Sequence, residues 1–130
     1  MFTDKPCVVR RTMLGVEDHG ILTCMLHVDG DGWGIGFGGY ALDQPMWTDP
    51  QNKRDFLGRQ GTNYGMEFIR RVLDTLEVET WEKLPGTVVR IRFDGDGLCG
   101  ERCVGIGHAY KNRWFIPTVD LNHFIPEKER

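Results

Sequence analysis

"DGDGWGIGFGGYALD", residues 29–43, sets a glycine at every even position from Gly30 to Gly38 and adds Gly39, with Trp33, Ile35 and Phe37 standing between them. Successive side chains of a β-strand point to opposite faces. A strand here has one aromatic and aliphatic face and one face with no side chains at all. Glycine weakens a strand interior, so such a run marks a place where something comes close to the backbone.

The flanking segments place this strand in a sheet. "ILTCMLHVDG" (21–30) reads as a strand that is apolar on both faces, and "DGDG" (29–32) is a turn signal that pairs it with residues 33–41 as a hairpin. Upstream, "CVVRRTMLGVEDHG" (7–20) reads as a further strand ending in a turn. Downstream, "QPMWTDPQNKRDFLGRQGT" (44–62) has two prolines and many polar residues and reads as a long loop, a length often tied to function. "NYGMEFIRRVLDTLEV" then spaces Met66, Ile69, Val72, Leu73 and Leu76 as the apolar stripe of a helix over 62–78, capped by Thr62 or Asn63. "TWEKLPG" predicts a short second helical turn, capped by Thr80 and stopped by Pro85-Gly86.

In "TVVRIRFDGDG", Val89, Ile91 and Phe93 alternate with Val88, Arg90 and Arg92, and a second "DGDG" (94–97) predicts a hairpin into "RCVGIGHAY". Neither copy of "DGDG" runs on into a calcium loop, so both read as turn chemistry. "KNR" turns the chain into "WFIPTVDL", and "IPEKER" reads as a frayed tail. The sum is one α+β domain over residues 1–130, a mostly antiparallel sheet of about five to six strands with one main helix.

Residues 103–109 repeat the glycine pattern more mildly, with Cys103, Gly105, Gly107 and Ala109 on one face. If the two strands are neighbours, their bare faces merge into a trough. Either the main helix fills it, since interiors pack to near-crystalline density, or a ligand or second subunit does. Both readings leave Trp33, Ile35 and Phe37 on the opposite face, needing cover. One helix covers one face, so the expectation is a homo-oligomer joined through that strand.

Sixteen basic against nineteen acidic side chains leave a net charge of −3, which argues against a general binder of duplex nucleic acid. No apolar run is long enough for a membrane span and the N-terminus lacks a signal-peptide core, so the expected location is the cytoplasm. Cys99-x3-Cys103 is half a zinc pattern without a second close pair, so the four cysteines read as reduced thiols and neither metal nor cofactor is expected. No nucleophile–base set, metalloprotease motif or phosphate loop is present, and the chain does not read as an enzyme.

Binding has better material. Trp47, Arg54 and Arg59 lie in the long segment that leads to Gly61, Thr62 and Asn63 at the helix start. A helix N-terminus offers free N–H groups and a positive dipole end to phosphate or carboxylate. Arg90, Arg92 and Arg113 add charge that pairs with anions, and Tyr40, Trp47 and Trp114 offer surfaces on which a base can stack. The combination predicts a site for a small anionic, nucleotide-like ligand.

In "GFGGYALD" (36–43), "GTNYGMEFIRRVLDTLEVETWEKLPG" (61–86) and "VGIGHAYKNRWFIP" (104–117), the sequence resembles a group of small uncharacterised bacteriophage and prophage proteins. The resemblance spans roughly residues 8–117 and carries no catalytic residues. It implies a phage-encoded protein acting in the cytoplasm of a bacterial host. The function expected in that setting is an anti-defence protein that sequesters a nucleotide-derived immune signal. The alternatives are a protein-binding inhibitor of a host defence protein and a nucleic-acid-binding accessory protein.

Overall fold

The computed structural model describes residues 1–95 and 102–124. Its architecture is α+β. Strands β1 (Phe2–Asp18), β2 (Ile21–Gly30), β3 (Trp33–Gly39), β6 (Val88–Asp94), β7 (Arg102–His108) and β8 (Trp114–Phe115) form one antiparallel sheet in the order β3-β2-β1-β6-β7-β8. Strands β4 (Asp43–Asp49) and β5 (Arg54–Gly61) form a separate hairpin. Helix α1 (Asn63–Leu76) packs on one face of the sheet, a 3-10 turn (Trp81–Lys83) follows it, and a short helix α2 (Pro117–Asp120) comes after β8. The "DGDG" turn at 29–32 makes the expected hairpin, with Gly30 opposite Trp33 and Gly32 at a φ of +76°. The second "DGDG" runs outside the described residues, as do Cys99 and the tail "IPEKER".

Flat, a six-stranded sheet would hold its edge strands about 24 Å apart, at roughly 4.8 Å per step. Here the rings of Phe37 on β3 and Phe115 on β8 are 6.1 Å apart, and Trp33 on β3 lies 5.6 Å from Phe93 on β6. The sheet is therefore rolled toward an open barrel. Its inner face carries Val9, Cys24, Leu26, Val28, Val89, Ile91 and Ile106, all buried, and α1 covers them with Phe68, Val72 and Leu76.

The bulky face of β3 is this inner face. Phe37 is only 5 % exposed and stacks on Phe68 of α1, and Trp33 and Ile35 pack against the same core. The expected oligomer contact through Trp33–Phe37 is thus corrected: that face packs on the chain's own core, Phe37 against Phe68 of α1 and Trp33 against Phe93 of β6. The trough reading is corrected with it, because Gly34, Gly36 and Gly38 face outward and β3 does not pair with β7; the rolled sheet leaves only a groove between them, bordered by Gly36, Gly38 and Gly39. The objects close to the glycine backbones belong to the chain itself. A Cβ on Gly36 would lie 2.6 Å from the Met25 sulfur, one on Gly38 would meet the Cys24 carbonyl oxygen first and then that sulfur at 2.9 Å, and one on Gly107 would lie 2.5 Å from the Trp114 ring. On β7 a bulge opposite Arg92 and Phe93 shifts the alternation, so Cys103 joins the core side while Gly105 and Gly107 face out under Ile116 and Trp114.

Three further expectations change. The apolar stripe of α1 is rotated: Phe68 is buried, whereas Met66 is 71 % exposed. Residues 44–62 are mostly the β4–β5 hairpin rather than a loop; Pro45 is tolerated because β4 has an open edge. Only Trp114 and Phe115 of "WFIPTVDL" form a strand, since Pro117 starts α2.

Candidate functional site

The start of α1 and the base of the β4–β5 hairpin form one hydrogen-bonded unit. Ala41, at a φ of +60°, turns the chain into β4, and the buried Leu42 donates its N–H to the Leu22 carbonyl at 2.9 Å. Thr62 is the N-cap. Its hydroxyl accepts from the Gly65 N–H at 3.0 Å and donates to the Leu42 carbonyl at 2.9 Å. Gly65 is required, because a Cβ there would sit 2.7 Å from the Leu42 carbonyl carbon and closer still to its oxygen. The amides of Asn63 and Tyr64 stay in the first turn, where a helix offers no acceptor of its own.

Beside this helix start lies a cleft of about 770 Å3, within the usual size of small-ligand sites. Arg59, Gly61, Thr62 and Asn63 all line it, so four of the residues singled out from the sequence meet at one concavity. Tyr64, His123 and Phe124 supply ring surface, and Gln44 and Gln60 add amides. Burial raises the Tyr64 phenol, so it stays a neutral hydroxyl at physiological pH.

Arg59 is not the free loop arginine that the sequence suggests. Its Nε and Nη2 reach Asp43 Oδ1 at 3.0 and 2.9 Å, and Nη2 also donates to the Asp43 carbonyl at 3.3 Å. The Asp43 side chain is 8 % exposed and also accepts the Leu22 N–H at 3.1 Å. Burial alone would push this carboxyl up, but the bonds from Arg59 and Leu22 outweigh it and hold it below the ordinary range. The pair anchors the hairpin and sets one wall of the cleft.

The other predicted residues lie elsewhere. Trp47 and Arg54 are farther out on the hairpin, where register opposes Trp47 to Phe56 and Asp49 to Arg54. Tyr40 is exposed and borders a separate groove of about 290 Å3 between β3 and β7. Arg90, Arg92 and Trp114 do come together, on the outer face of the sheet, but they satisfy one another. The Trp114 ring lies 3.9 Å from the Arg92 guanidinium and 4.6 Å from that of Arg90. Arg92 makes a two-pronged pair with Asp4 at 2.8 and 3.0 Å, and Arg90 donates to the carbonyls of His108 and Lys111, each at 2.7 Å. Arg113 reaches Glu77 at 3.7 Å, past the far end of α1.

Sequence reading missed Asp43, His123 and Phe124 as cleft residues, and the ring of Tyr64 as one of its surfaces. Asp43 carried a signal, as a carboxylate directly after the apolar Leu42. His123 and Phe124 carried none, because their position depends on how the chain returns after α2. Burial raises the thiols of Cys7 to about 12 and Cys24 to about 11, and raises Cys103 as well, so all three stay protonated at neutral pH. Among the described residues no group of three or more His, Cys, Asp or Glu is placed to hold a metal ion, and no helix is long and apolar enough to cross a membrane. Comparison with known proteins adds no family: no family model matches the chain, and neither does any curated protein or solved structure at a significant level.

Proposed function

We propose that this is a binding protein that captures a small anionic, nucleotide-like ligand in the cleft at the start of α1. The observation that supports this is the convergence of Arg59, Thr62, Asn63 and Tyr64 around one cleft of about 770 Å3. The first-turn amides and the helix dipole suit a phosphate. Tyr64 and Phe124 suit a base or ribose, and Gln44 and Gln60 suit its polar edge. The resemblance to phage and prophage proteins makes a nucleotide-derived immune signal of a bacterial host the ligand to test first, its capture being the anti-defence act.

The test is titration calorimetry with cyclic di- and trinucleotides, cyclic ADP-ribose isomers, AMP and inorganic phosphate. Asn63→Asp is the informative variant. A carboxylate in the first turn favours the helix but repels an anion held there. Affinity should fall about tenfold or more, the effect of losing or opposing one charge-assisted contact, while the melting temperature holds or rises. Absence of binding by the wild type to every nucleotide in the panel sinks the proposal.

A further inference from the structure

The outer face of the sheet, away from α1, carries three basic side chains gathered around a bulge. Val9 opposes Val28 and Arg11 opposes His27, so Arg10 is an extra residue in β1. Such a bulge gives up ladder bonding at one residue and re-aims the side chains beside it. Here it brings Arg10 and Arg11 to the same face, both exposed, while Val9 and Val28 stay buried. A protonated His27 would face the Arg11 cation directly across the strand pair, an arrangement that destabilises.

Among the described residues one acid joins this cluster. Asp29 pairs with Arg10 at 2.9 Å, and both side chains are half exposed. Neither the Arg11 guanidinium nor the His27 ring has a hydrogen-bond or ion-pair partner among the described residues. On the far side of His27, β3 adds no charge, because Gly36 lies opposite it with Gly34 and Gly38 to either side. Burial disfavours the His27 imidazolium, Arg11 and Arg10 disfavour it further, and Asp29 offsets them only in part, so the ring is held below its ordinary value. Two arginines against one aspartate leave one positive charge, and a protonated His27 makes it two. Arginine forks match the oxygens of a phosphate group, and a phosphate monoester carries about 1.5 to 2 negative charges at neutral pH.

We infer that Arg10, Arg11 and His27 form an anion site on the outer face of the sheet, which takes a tetrahedral dianion: free phosphate or a phosphate monoester. Arg11 supplies the free guanidinium fork and Arg10 the flanking charge. His27 takes up a proton from solvent as the dianion arrives and donates an N–H to it. None of these residues lines the cleft at the start of α1, so the site stands whether or not that cleft binds a nucleotide.

NMR titration of the His27 ring against pH tests it, in sulfate and in chloride at equal ionic strength. Sulfate stays a dianion throughout, whereas a phosphate monoester takes up a proton at about pH 6. A bound dianion favours the imidazolium, so the His27 midpoint should lie higher in sulfate than in chloride. Arg11→Gln should weaken sulfate binding about tenfold, while its melting temperature holds or rises as the repulsion is removed. Should that variant misfold, the wild type decides: phosphate and methyl phosphate should move the Arg11 and His27 signals, and dimethyl phosphate, a monoanion, should not. Tighter binding of methyl phosphate marks an ester as the ligand, and tighter binding of phosphate marks the free ion. A His27 midpoint equal in sulfate and chloride overturns the inference. So does a sulfate response that survives Arg11→Gln, or a response to dimethyl phosphate as strong as that to phosphate.

Discussion

Replacing Gly65 by alanine tests how α1 is seated, and with it the shape of the cleft. In an ordinary helix interior this change stabilises, by about 1 kcal/mol. Here the added Cβ would lie 2.7 Å from the Leu42 carbonyl carbon and 2.8 Å from the Leu42 Cβ. Leu42 cannot retreat easily, since it is fully buried and its N–H is bonded to the Leu22 carbonyl. The helix start must shift instead, stretching the Thr62 hydroxyl bond to the Leu42 carbonyl. Overpacking costs about 1–3 kcal/mol and one weakened hydrogen bond about 1 kcal/mol. Set against the propensity gain, the net loss is about 1–3 kcal/mol. For a chain of this size that is a fall of roughly 3–12 °C in melting temperature. Circular dichroism melts with urea titrations measure it, and Gly61→Ala is the control, because a Cβ there meets nothing within 4 Å. A Gly65→Ala protein as stable as the wild type would refute the seating of α1 on Leu42.

Three further substitutions separate rigid from yielding neighbours and fix the sign of one pH effect. Gly107→Ala should cost about 2 kcal/mol and red-shift tryptophan emission, because the Trp114 ring lies on that backbone under Arg90 and Arg92, whereas Gly36→Ala meets only the flexible end of Met25 and should change stability by less than about 1 kcal/mol; equal losses at both sites would undo that distinction. Arg59→Ala should cost about 1–3 kcal/mol at neutral pH by leaving the Asp43 carboxylate buried without its main partner. The Asp43 carboxyl is held below its ordinary range, so the pair's contribution is present above the unfolded value, about 3.9, and is lost as pH falls through the folded value. The gap between variant and wild type should therefore narrow below about pH 4, and urea titrations showing a constant gap from neutral to acid pH would contradict the assignment.

The strands were legible wherever alternation and turn chemistry agreed. Val89, Ile91 and Phe93 face inward and Val88, Arg90 and Arg92 outward, as their alternation predicts. The helix was legible in type and extent but not in rotation: Met66 satisfies the spacing as well as Phe68 does, and only the sheet decides which one it covers. The hairpin at 43–61 was illegible because its strands bury no hydrophobic side chain, so no hydrophobic period marks them, and Pro45 and the Gly58 bulge break the alternation that does exist. In the site, Arg59 and the helix start were readable as residue types. The Asp43 partner was not, because an ion pair across a hairpin depends on register, which a segment read as a loop does not have.

The glycine strand shows why one face could not be assigned by volume alone. Small residues make room, but room is needed equally for a helix, a ligand, or a side chain from the next strand. Apolar area decides between them. Trp33, Ile35 and Phe37 together offer roughly 500 Å2, which at 25 cal/mol per Å2 is an upper bound of about 12 kcal/mol. Turning the strand over would put that area in water and lay the helix on bare backbone, which offers almost nothing in return. A domain of this size has a net stability of about 5–15 kcal/mol, so the inverted arrangement would lose most of it. With the bulky face committed to the core, Gly34, Gly36 and Gly38 are left outside, and their smallness serves the close approach of Asp29, Met25 and the Cys24 carbonyl on the next strand. On the β4–β5 hairpin, by contrast, Phe56 and Leu57 have no such claim on the core and stand exposed.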